Sequence, residues 1–226
     1  MRYILLALLL VLSPQVRSEI VYNGTLSTRG NNGSASSGTI WGETFTSATY
    51  VSRVSSISLY LAKGTGSGTI SVSVYAVTPY TDGSTSGYVS TGTALSTSSS
   101  IDSSTLWSGA YVGEATFTNF TYYNLAANTR YAFQLNTSNL TGSISINAGV
   151  PNNSTTTGQN RYYSNNGGSS YSITGNYNTL SGFVNVTAVP EPATLILTGS
   201  ALAAGAVGAF IKRRRKAFQE ANAGDI

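Results

Sequence analysis

The chain has 226 residues and a formal charge of +4, and it contains neither cysteine nor histidine. The lack of cysteine excludes disulfide bridges, thiolate metal sites and a cysteine nucleophile, and the lack of histidine excludes the commonest general base. The positive charge does not indicate nucleic-acid binding, because between Glu19 and Val189 five basic and five acidic residues cancel. The excess lies at the two ends of the chain, which is typical of targeting segments.

The first 18 residues have the form of a secretory signal peptide. Arg2 is followed by an apolar run from Tyr3 to Leu12, and Val16 and Ser18 suit cleavage before Glu19. An uncleaved signal anchor is the alternative, although the run is short for a membrane span. Either interpretation predicts that the central part of the chain is exported.

The segment from Ile20 to Gly38 is rich in Asn, Gly, Ser and Thr and predicts an irregular lead-in, with one short strand at Ile20–Tyr22. Beyond it, the stretches Ser56–Leu61 and Ile70–Ala76 alternate apolar with mainly hydroxylated residues, which predicts two strands with one buried and one solvated face. The glycine-rich segment Lys63–Gly68 between them predicts a hairpin turn.

Further strands are predicted along the rest of the central region, each bounded by turn residues. They are Ile40–Thr46, Thr93–Ser98, Glu114–Phe120, Tyr131–Leu135, Ile144–Ala148, Arg161–Ser164 and Gly182–Ala188. With no helical period before Ala193, this pattern predicts an all-β fold, a jelly-roll-like β-sandwich over residues 19–188.

The C-terminal region contains a long uncharged stretch from Ala193 to Ile211. As a helix, these residues would extend roughly 28 Å, close to the thickness of the hydrocarbon core of a bilayer. A buried helix of a soluble protein is the alternative, but such a helix usually keeps one polar face. The stretch therefore predicts a transmembrane helix over 193–211.

A cluster of basic residues follows the uncharged stretch directly. It consists of Lys212, Arg213, Arg214, Arg215 and Lys216. Under the positive-inside rule this cluster stays in the cytoplasm, which puts the residues before Pro190 on the other side of the membrane. Residues 217–226 are then a short cytoplasmic tail.

The order of features from 189 to 216 resembles the PEP-CTERM sorting signal of exported bacterial proteins. Pro190, Glu191 and Pro192 match its motif, and the predicted helix and the basic cluster follow at the expected spacing. The resemblance implies processing by a membrane-embedded exosortase, and delivery to the cell surface or extracellular matrix. One departure is that Ala217–Ile226 continue beyond the basic cluster.

The central region resembles, more weakly, the exported sandwich domains of the choice-of-anchor type. The resemblance rests on the order of Trp41–Thr46, the strand patterns around Val54–Ala62 and Thr69–Val77, and Arg130–Phe133. Such domains are similar in plan to carbohydrate-binding modules, but the likeness fixes no binding residue.

Catalytic chemistry is not predicted. The central carboxylates Glu43, Asp82, Asp102 and Glu114 are far apart in sequence and no motif unites them, so we expect no enzyme and no catalytic residue. No cofactor is expected. The oxygens of Asp82–Ser84 leave calcium as an alternative, although Asp-Gly is first a turn pair.

Aromatic residues are numerous and leave two interpretations open. We expect Trp41 and Trp107 in the core and many tyrosines in or near loops, where they either pack the loops or stack on sugar rings. The tyrosines are Tyr80, Tyr88, Tyr111, Tyr122, Tyr123, Tyr162, Tyr163, Tyr171 and Tyr177. Two hypotheses follow: an exported structural protein associated with exopolysaccharide, or a surface-displayed carbohydrate-binding module. An exosortase, the membrane and a polysaccharide are the expected partners, without nucleic acid.

Overall fold

The computed structural model describes residues 17–24, 33–108, 111–147, 160–174, 180–189, 205–206 and 208–214. The chain divides into two compact units: Arg17–Val189, here called the β unit, and Met1–Val16 together with Pro190–Ile226. The predicted signal peptide falls almost wholly outside the described residues, as do Pro190, Glu191, Pro192, Arg215 and Lys216. Residues 193–204 and 207 of the predicted transmembrane helix and the predicted tail 217–226 lie outside them as well.

Fourteen strands lie within the described part of the β unit. They are β1 (Ser18–Gly24), β2 (Gly33–Ser36), β3 (Ile40–Thr46), β4 (Ser52–Lys63), β5 (Ser67–Asp82), β6 (Thr85–Thr97), β7 (Ile101–Asp102), β8 (Gly113–Phe117), β9 (Arg130–Asn136), β10 (Leu140–Thr141), β11 (Ser143–Ile146), β12 (Arg161–Ser164), β13 (Ser172–Thr174) and β14 (Gly182–Ala188). The prediction of an all-β protein is confirmed, and the bounds predicted for β3, β12 and β14 agree with the structure.

The first sheet has six strands in the order β1-β14-β4-β11-β2, with β8 also paired to β4. Every pairing in it is antiparallel. Ile57 of β4 lies opposite both Val184 of β14 and Phe117 of β8, so these two neighbours occupy the two edges of β4. The long strand β4 is therefore central to this sheet.

The second sheet has eight strands in the order β10-β5-β9-β3-β12-β13, with β6 and β7 also paired to β5. Its pairings are antiparallel as well. Ser73 of β5 pairs with both Thr97 of β6 and Gln134 of β9, which makes β5 the strand on which the two arms of this sheet meet.

The predicted hairpin between β4 and β5 is wrong. The two strands belong to different sheets, so the glycine-rich segment between them crosses from one sheet to the other. The segment lies against the backbone of residues 139–143, where a side chain at Gly64, Gly66 or Gly68 would overlap main-chain atoms. Close backbone approach, as well as turn geometry, therefore requires these glycines.

The main hydrophobic core draws buried side chains from both sheets. Ile57 and Leu61 of β4 belong to it, together with Val72 of β5 and Phe133 of β9. The ring of Tyr22 meets Phe133 edge to face, with 5.4 Å between the centroids. Burial of these faces is the main stabilising contribution in a unit that has no disulfide bridges.

The structure has a second, smaller core, and the expectation that the serine-rich strand faces are solvated is wrong. Val89, Ala132, Tyr162 and Ile173 are buried together, and Tyr80 and Tyr171 pack against them. On β4 and β5, Ser58, Ser71 and Ser73 are also buried rather than solvated.

The β5–β6 ribbon contributes to this second core and contacts β3 and β9. Ser90 of β6 donates a hydrogen bond to Gln134 Oε1 of β9 at 3.0 Å, and the Arg130 guanidinium of β9 lies 4.3 Å from the centroid of Tyr88. The ribbon therefore covers part of the second sheet, and Tyr162, expected near a loop, is fully buried.

Asn160 ties the β5–β6 ribbon to the second sheet. Its side-chain Nδ2 donates to Tyr88 O at 2.7 Å, and its Oδ1 accepts from Tyr88 N at 2.9 Å. Its backbone N–H donates to Thr44 Oγ1 at 2.9 Å. The side-chain amide thus satisfies both backbone polar groups of Tyr88 in place of a neighbouring strand.

Replacing Asn160 with alanine is expected to lower the free energy of unfolding by about 2 kcal/mol, because both backbone groups of Tyr88 lose their partner. Urea unfolding followed by tryptophan fluorescence measures the loss. Asn185→Ala is the matched control, since within the described part of the chain the Asn185 side chain donates to another side chain, the Ser56 hydroxyl, and not to a backbone group. Equal losses from the two variants would contradict the role given to Asn160.

In the second unit, residues 205–206 and 208–214 are helical and the side chains described there are exposed. This helix continues past Ile211 through Lys212, Arg213 and Arg214 of the basic cluster. The guanidinium of Arg214 lies 5.3 Å from the ring centroid of Phe210. Within the described residues, no helix has the length and apolar character needed to cross a membrane.

Candidate functional site

The four central carboxylates lie in different environments. Glu43 is fully buried on β3, whereas Asp82 begins the tight turn between β5 and β6 and accepts a hydrogen bond from the Ile173 amide at 3.4 Å. Asp102 and Glu114 are exposed. Among the residues described, no three acidic side chains converge as they would around a metal ion.

A cleft of about 220 Å³ opens on the surface of the β unit beside Trp107. Its lining residues are Ile101, Thr105, Leu106, Trp107, Gly113, Glu114, Ala115 and Thr116. The Trp107 side chain is 60% exposed, so the expectation that this residue lies in the core is wrong. We call this feature the Trp107 cleft.

One wall of the Trp107 cleft is held by local hydrogen bonds. Asp102 caps the 3₁₀ turn Ser103–Thr105, since its Oδ1 accepts from the Ser104 amide at 2.8 Å. Hydrogen bonds from the backbone and the side chain of Ser104 stabilise the carboxylate and hold the pKa of Asp102 below its ordinary value. The Lys63 amide donates to Trp107 O at 2.8 Å, which fixes the backbone under the indole to the end of β4.

The other wall is β8. Glu114 and Thr116 point to the exposed side of this strand, and the Thr116 hydroxyl lies 3.4 Å from Glu114 Oε1 and 3.0 Å from Ser58 Oγ. Trp107 lies close against Gly113, because a Cβ there would come within 2.8 Å of Trp107 Cβ. The absence of a side chain at Gly113 therefore lets the indole lie beside β8.

The chemistry of the Trp107 cleft suits binding. It offers a large aromatic surface, the carboxylate of Glu114 and the hydroxyls of Thr105 and Thr116. Only one carboxylate is present among the lining residues, whereas glycoside hydrolysis ordinarily uses two.

Sequence reasoning missed this cleft because tryptophan was assigned to the core by its residue type alone. The context of Trp107 held a weak signal, since Ser108, Gly109 and Ala110 follow it and such small residues are typical of a surface loop. The other tryptophan, Trp41, packs half-buried against the main core and stacks on Tyr163 with 5.5 Å between the centroids.

The tyrosines fall into separate groups rather than one binding surface. Tyr80 and Tyr88 lie on strands, Tyr162 and Tyr163 lie on β12 within the strand predicted there, and Tyr177 lies outside the described residues. Tyr122 is 70% exposed, and the guanidinium of Arg53 stacks over its ring at 3.6 Å from the centroid.

Glu43 is a buried carboxylate in the middle of the second sheet. Its Oε2 accepts a hydrogen bond from the Leu180 amide at 3.0 Å, and its cross-strand neighbour on β12 is Arg161. Burial away from water raises the pKa of Glu43 to about 8, while the Leu180 amide and the charge of Arg161 act in the opposite direction. Surrounded by core residues, Glu43 bears on stability rather than on ligand binding.

Comparison of the chain with protein-family models gives no match, and comparison with curated proteins gives none either. The class that the structure itself defines is an all-β protein of antiparallel sheets.

Proposed function

We propose that the chain is an exported bacterial surface or matrix protein, non-enzymatic and sorted through its C-terminal signal. The observation that carries this proposal is the ordered tail in the sequence: Pro190, Glu191 and Pro192, then the uncharged stretch 193–211, then the basic cluster Lys212–Lys216. In this proposal the stretch crosses the membrane, the basic cluster stays in the cytoplasm and an exosortase-type protease processes the precursor.

The β unit fits the exported part of such a protein. It has no cysteine that would depend on the redox state of the compartment, and its main core combines side chains from both sheets. We assign it the finer description of a jelly-roll-like β-sandwich, with a structural role in an exopolysaccharide-associated layer. Its two ends are adjacent, since the Ala188 amide donates to Arg17 O at 2.8 Å.

Processing of the tail is tested by the mass of the chain recovered from cells that contain a sorting protease. The wild-type chain is expected to lose the residues C-terminal to the motif and to accumulate outside the cytoplasm. A variant with Pro190→Ala, Glu191→Ala and Pro192→Ala is expected to remain as the membrane-bound precursor ending at Ile226, because the protease no longer recognises it.

Glu220→Ala is the control, since it changes a charge in the predicted cytoplasmic tail without touching the motif. This variant is expected to mature like the wild type. A wild-type chain that reaches the cell surface with Ile226 still attached would contradict the proposed processing. Full-length chain dissolved in the cytoplasm would contradict export altogether.

A second candidate function, a carbohydrate-binding module displayed by the same route, is favoured by one observation. The Trp107 cleft presents an exposed indole next to a carboxylate and two threonine hydroxyls. Exposed aromatic faces combined with a few fixed polar groups are a common composition for small-ligand sites.

A further inference from the structure

We propose that the Trp107 cleft binds one ring of a neutral polysaccharide, with the C–H face of the sugar on the indole and sugar hydroxyls on Glu114 and the threonines. This inference deepens the second candidate function and rests on it. It adds the location of the site, the number of sugar rings and the charge class of the ligand.

The indole is the anchor of the site. At 60% exposed, Trp107 presents apolar surface to water, and covering that surface with the C–H face of a sugar ring is favourable. The backbone carbonyl of Trp107 accepts a hydrogen bond from the Lys63 amide at 2.8 Å, and the base of the indole lies against Gly113. Because the main chain that carries the ring is fixed before a ligand arrives, binding does not have to order the backbone at this position.

The polar groups of the lining match the hydroxyls of a sugar. Glu114 supplies carboxylate oxygens that only accept hydrogen bonds, and a sugar hydroxyl is a donor that suits them. The Thr105 hydroxyl donates to Asp102 O at 2.7 Å, so it stays able to accept from a ligand. These groups stand on β8 and on the capped 3₁₀ turn, which are both held by backbone hydrogen bonds.

The volume of the cleft sets the number of rings. At about 220 Å³ it is smaller than the pockets that enclose drug-sized ligands, which begin at ~300 Å³. The cleft therefore has room for one sugar ring, and the rest of the polymer continues over the surface.

The charge of the residues that line the cleft indicates which charge class of polysaccharide binds there. Glu114 is the charged side chain of the lining and it is acidic, which disfavours polymers that carry carboxylates or sulfates. A cationic ligand would pair with Glu114, but recognition of cations through aromatic rings typically uses a cage of several rings, and the lining contributes one. The neutral class fits these groups best.

The test is binding of the full chain, purified in a detergent without a sugar headgroup, to defined polymers. Dextran, xylan, galactomannan and a β-1,3-glucan represent the neutral class, alginate the acidic class and chitosan the cationic class. Wild type is expected to bind at least one neutral polymer, with Trp107→Ala weakening this binding about tenfold or more, as loss of a central aromatic anchor does. Glu114→Gln is expected to weaken it by a smaller factor.

Tyr122→Ala is the matched control, because Tyr122 is also an exposed aromatic residue but stacks on Arg53 at the start of β4. The backbone carbonyl of Trp107 is hydrogen-bonded to Lys63 at the other end of that strand. At ~3.3 Å per residue, Lys63 lies on the order of 30 Å from Arg53. Binding is expected to be unchanged in this variant. Gly113→Ala provides a second test, since the added methyl group displaces the indole without removing it.

The outcomes separate the two proposals. Binding that survives both Trp107→Ala and Gly113→Ala would overturn the site while leaving carbohydrate binding intact. Failure of the wild type to bind any neutral polymer would overturn the site and the second candidate function together, with the sorting of the chain unaffected. Binding to chitosan or alginate alone would overturn the assignment of a neutral ligand.

Discussion

Replacing Gly68 with alanine is expected to destabilise the β unit by about 3 kcal/mol or more, a large fraction of the total stability of an ordinary domain. Two independent causes add. Gly68 has a φ of +121°, which side-chain-bearing residues rarely adopt, and a Cβ at this position would overlap the backbone carbonyl of Asn139. A backbone carbonyl cannot rotate away as a flexible side chain can, so β5 and β10 would have to separate at their first pair.

Gly92→Ala separates these two causes. Gly92 also has a positive φ, +72°, but beyond its two chain neighbours no heavy atom of the described residues lies within 4 Å of the position its Cβ would take. This variant is expected to lose only about 1 kcal/mol, the conformational cost of a left-handed alanine. The measurement is the midpoint of urea unfolding of each full-length variant. Similar midpoints for Gly68→Ala and Gly92→Ala would contradict the proposed role of the Asn139 carbonyl.

The strands whose bounds sequence alone predicts best are those with clear turn residues nearby, whereas the strictly alternating stretches Ser56–Leu61 and Ile70–Ala76 lie inside the longer strands β4 and β5. Ile40–Thr46, Arg161–Ser164 and Gly182–Ala188 agree with β3, β12 and β14 to the residue. The alternation of side chains in a strand is a local property, and it shows in the sequence whatever the strand is paired with.

Pairing between strands is a long-range property, and the pairing predicted between β4 and β5 is wrong. The glycines of Lys63–Gly68 suit a hairpin and a crossing between sheets equally well, since both need tight or closely packed backbone. The choice depends on contacts with residues 139–143, more than 70 positions away in the chain. The sequence likewise predicts a strand only from Thr93, whereas β6 begins at Thr85. The first half of β6 depends on tertiary contacts with β3 and β9, which the local sequence does not show.

The candidate site was only partly open to prediction. The sequence predicts the class of residue, aromatics near the loops of a β unit, but it predicts no cleft and favours a core position for Trp107. The burial of Glu43 could have been predicted from the sequence. In a strand over Ile40–Thr46, Glu43 lies on the same face as Trp41 and Phe45. A charge on an otherwise apolar face is itself a signal of a buried carboxylate.

Burial of Glu43 is expected to make the β unit less stable as pH rises from about 4.5 to about 8. Below pH 4.5 the carboxyl is protonated in both the folded and the unfolded chain. Between the ordinary value of 4.5 and the raised pKa of about 8, the folded state keeps a proton that the unfolded state has released. Stability is therefore fully present at the acidic end of this window and is lost as pH rises through it, because the unfolded state binds fewer protons.

The size of the effect is large for one residue. The free energy of unfolding is expected to fall with a slope approaching ~1.4 kcal/mol per pH unit, and the total across the window is on the order of 5 kcal/mol. The chain has no histidine to titrate between pH 4.5 and pH 8, and the pKa of Asp102 is shifted downward, away from this range. Asp102 is also on the surface, where water screens its charge.

Urea unfolding of the full chain at pH 5, 6, 7 and 8 measures the slope, and both tryptophans report on the β unit because Trp41 and Trp107 lie within it. Glu43→Gln is expected to flatten the profile, since the amide has no proton to release in this range. Glu114→Gln, which alters an exposed carboxylate, is expected to keep the wild-type slope. A wild-type stability that is constant or rises between pH 5 and pH 8 would show that Glu43 is ionised in the folded core, with the nearby charge of Arg161 and the Leu180 amide outweighing the cost of its burial.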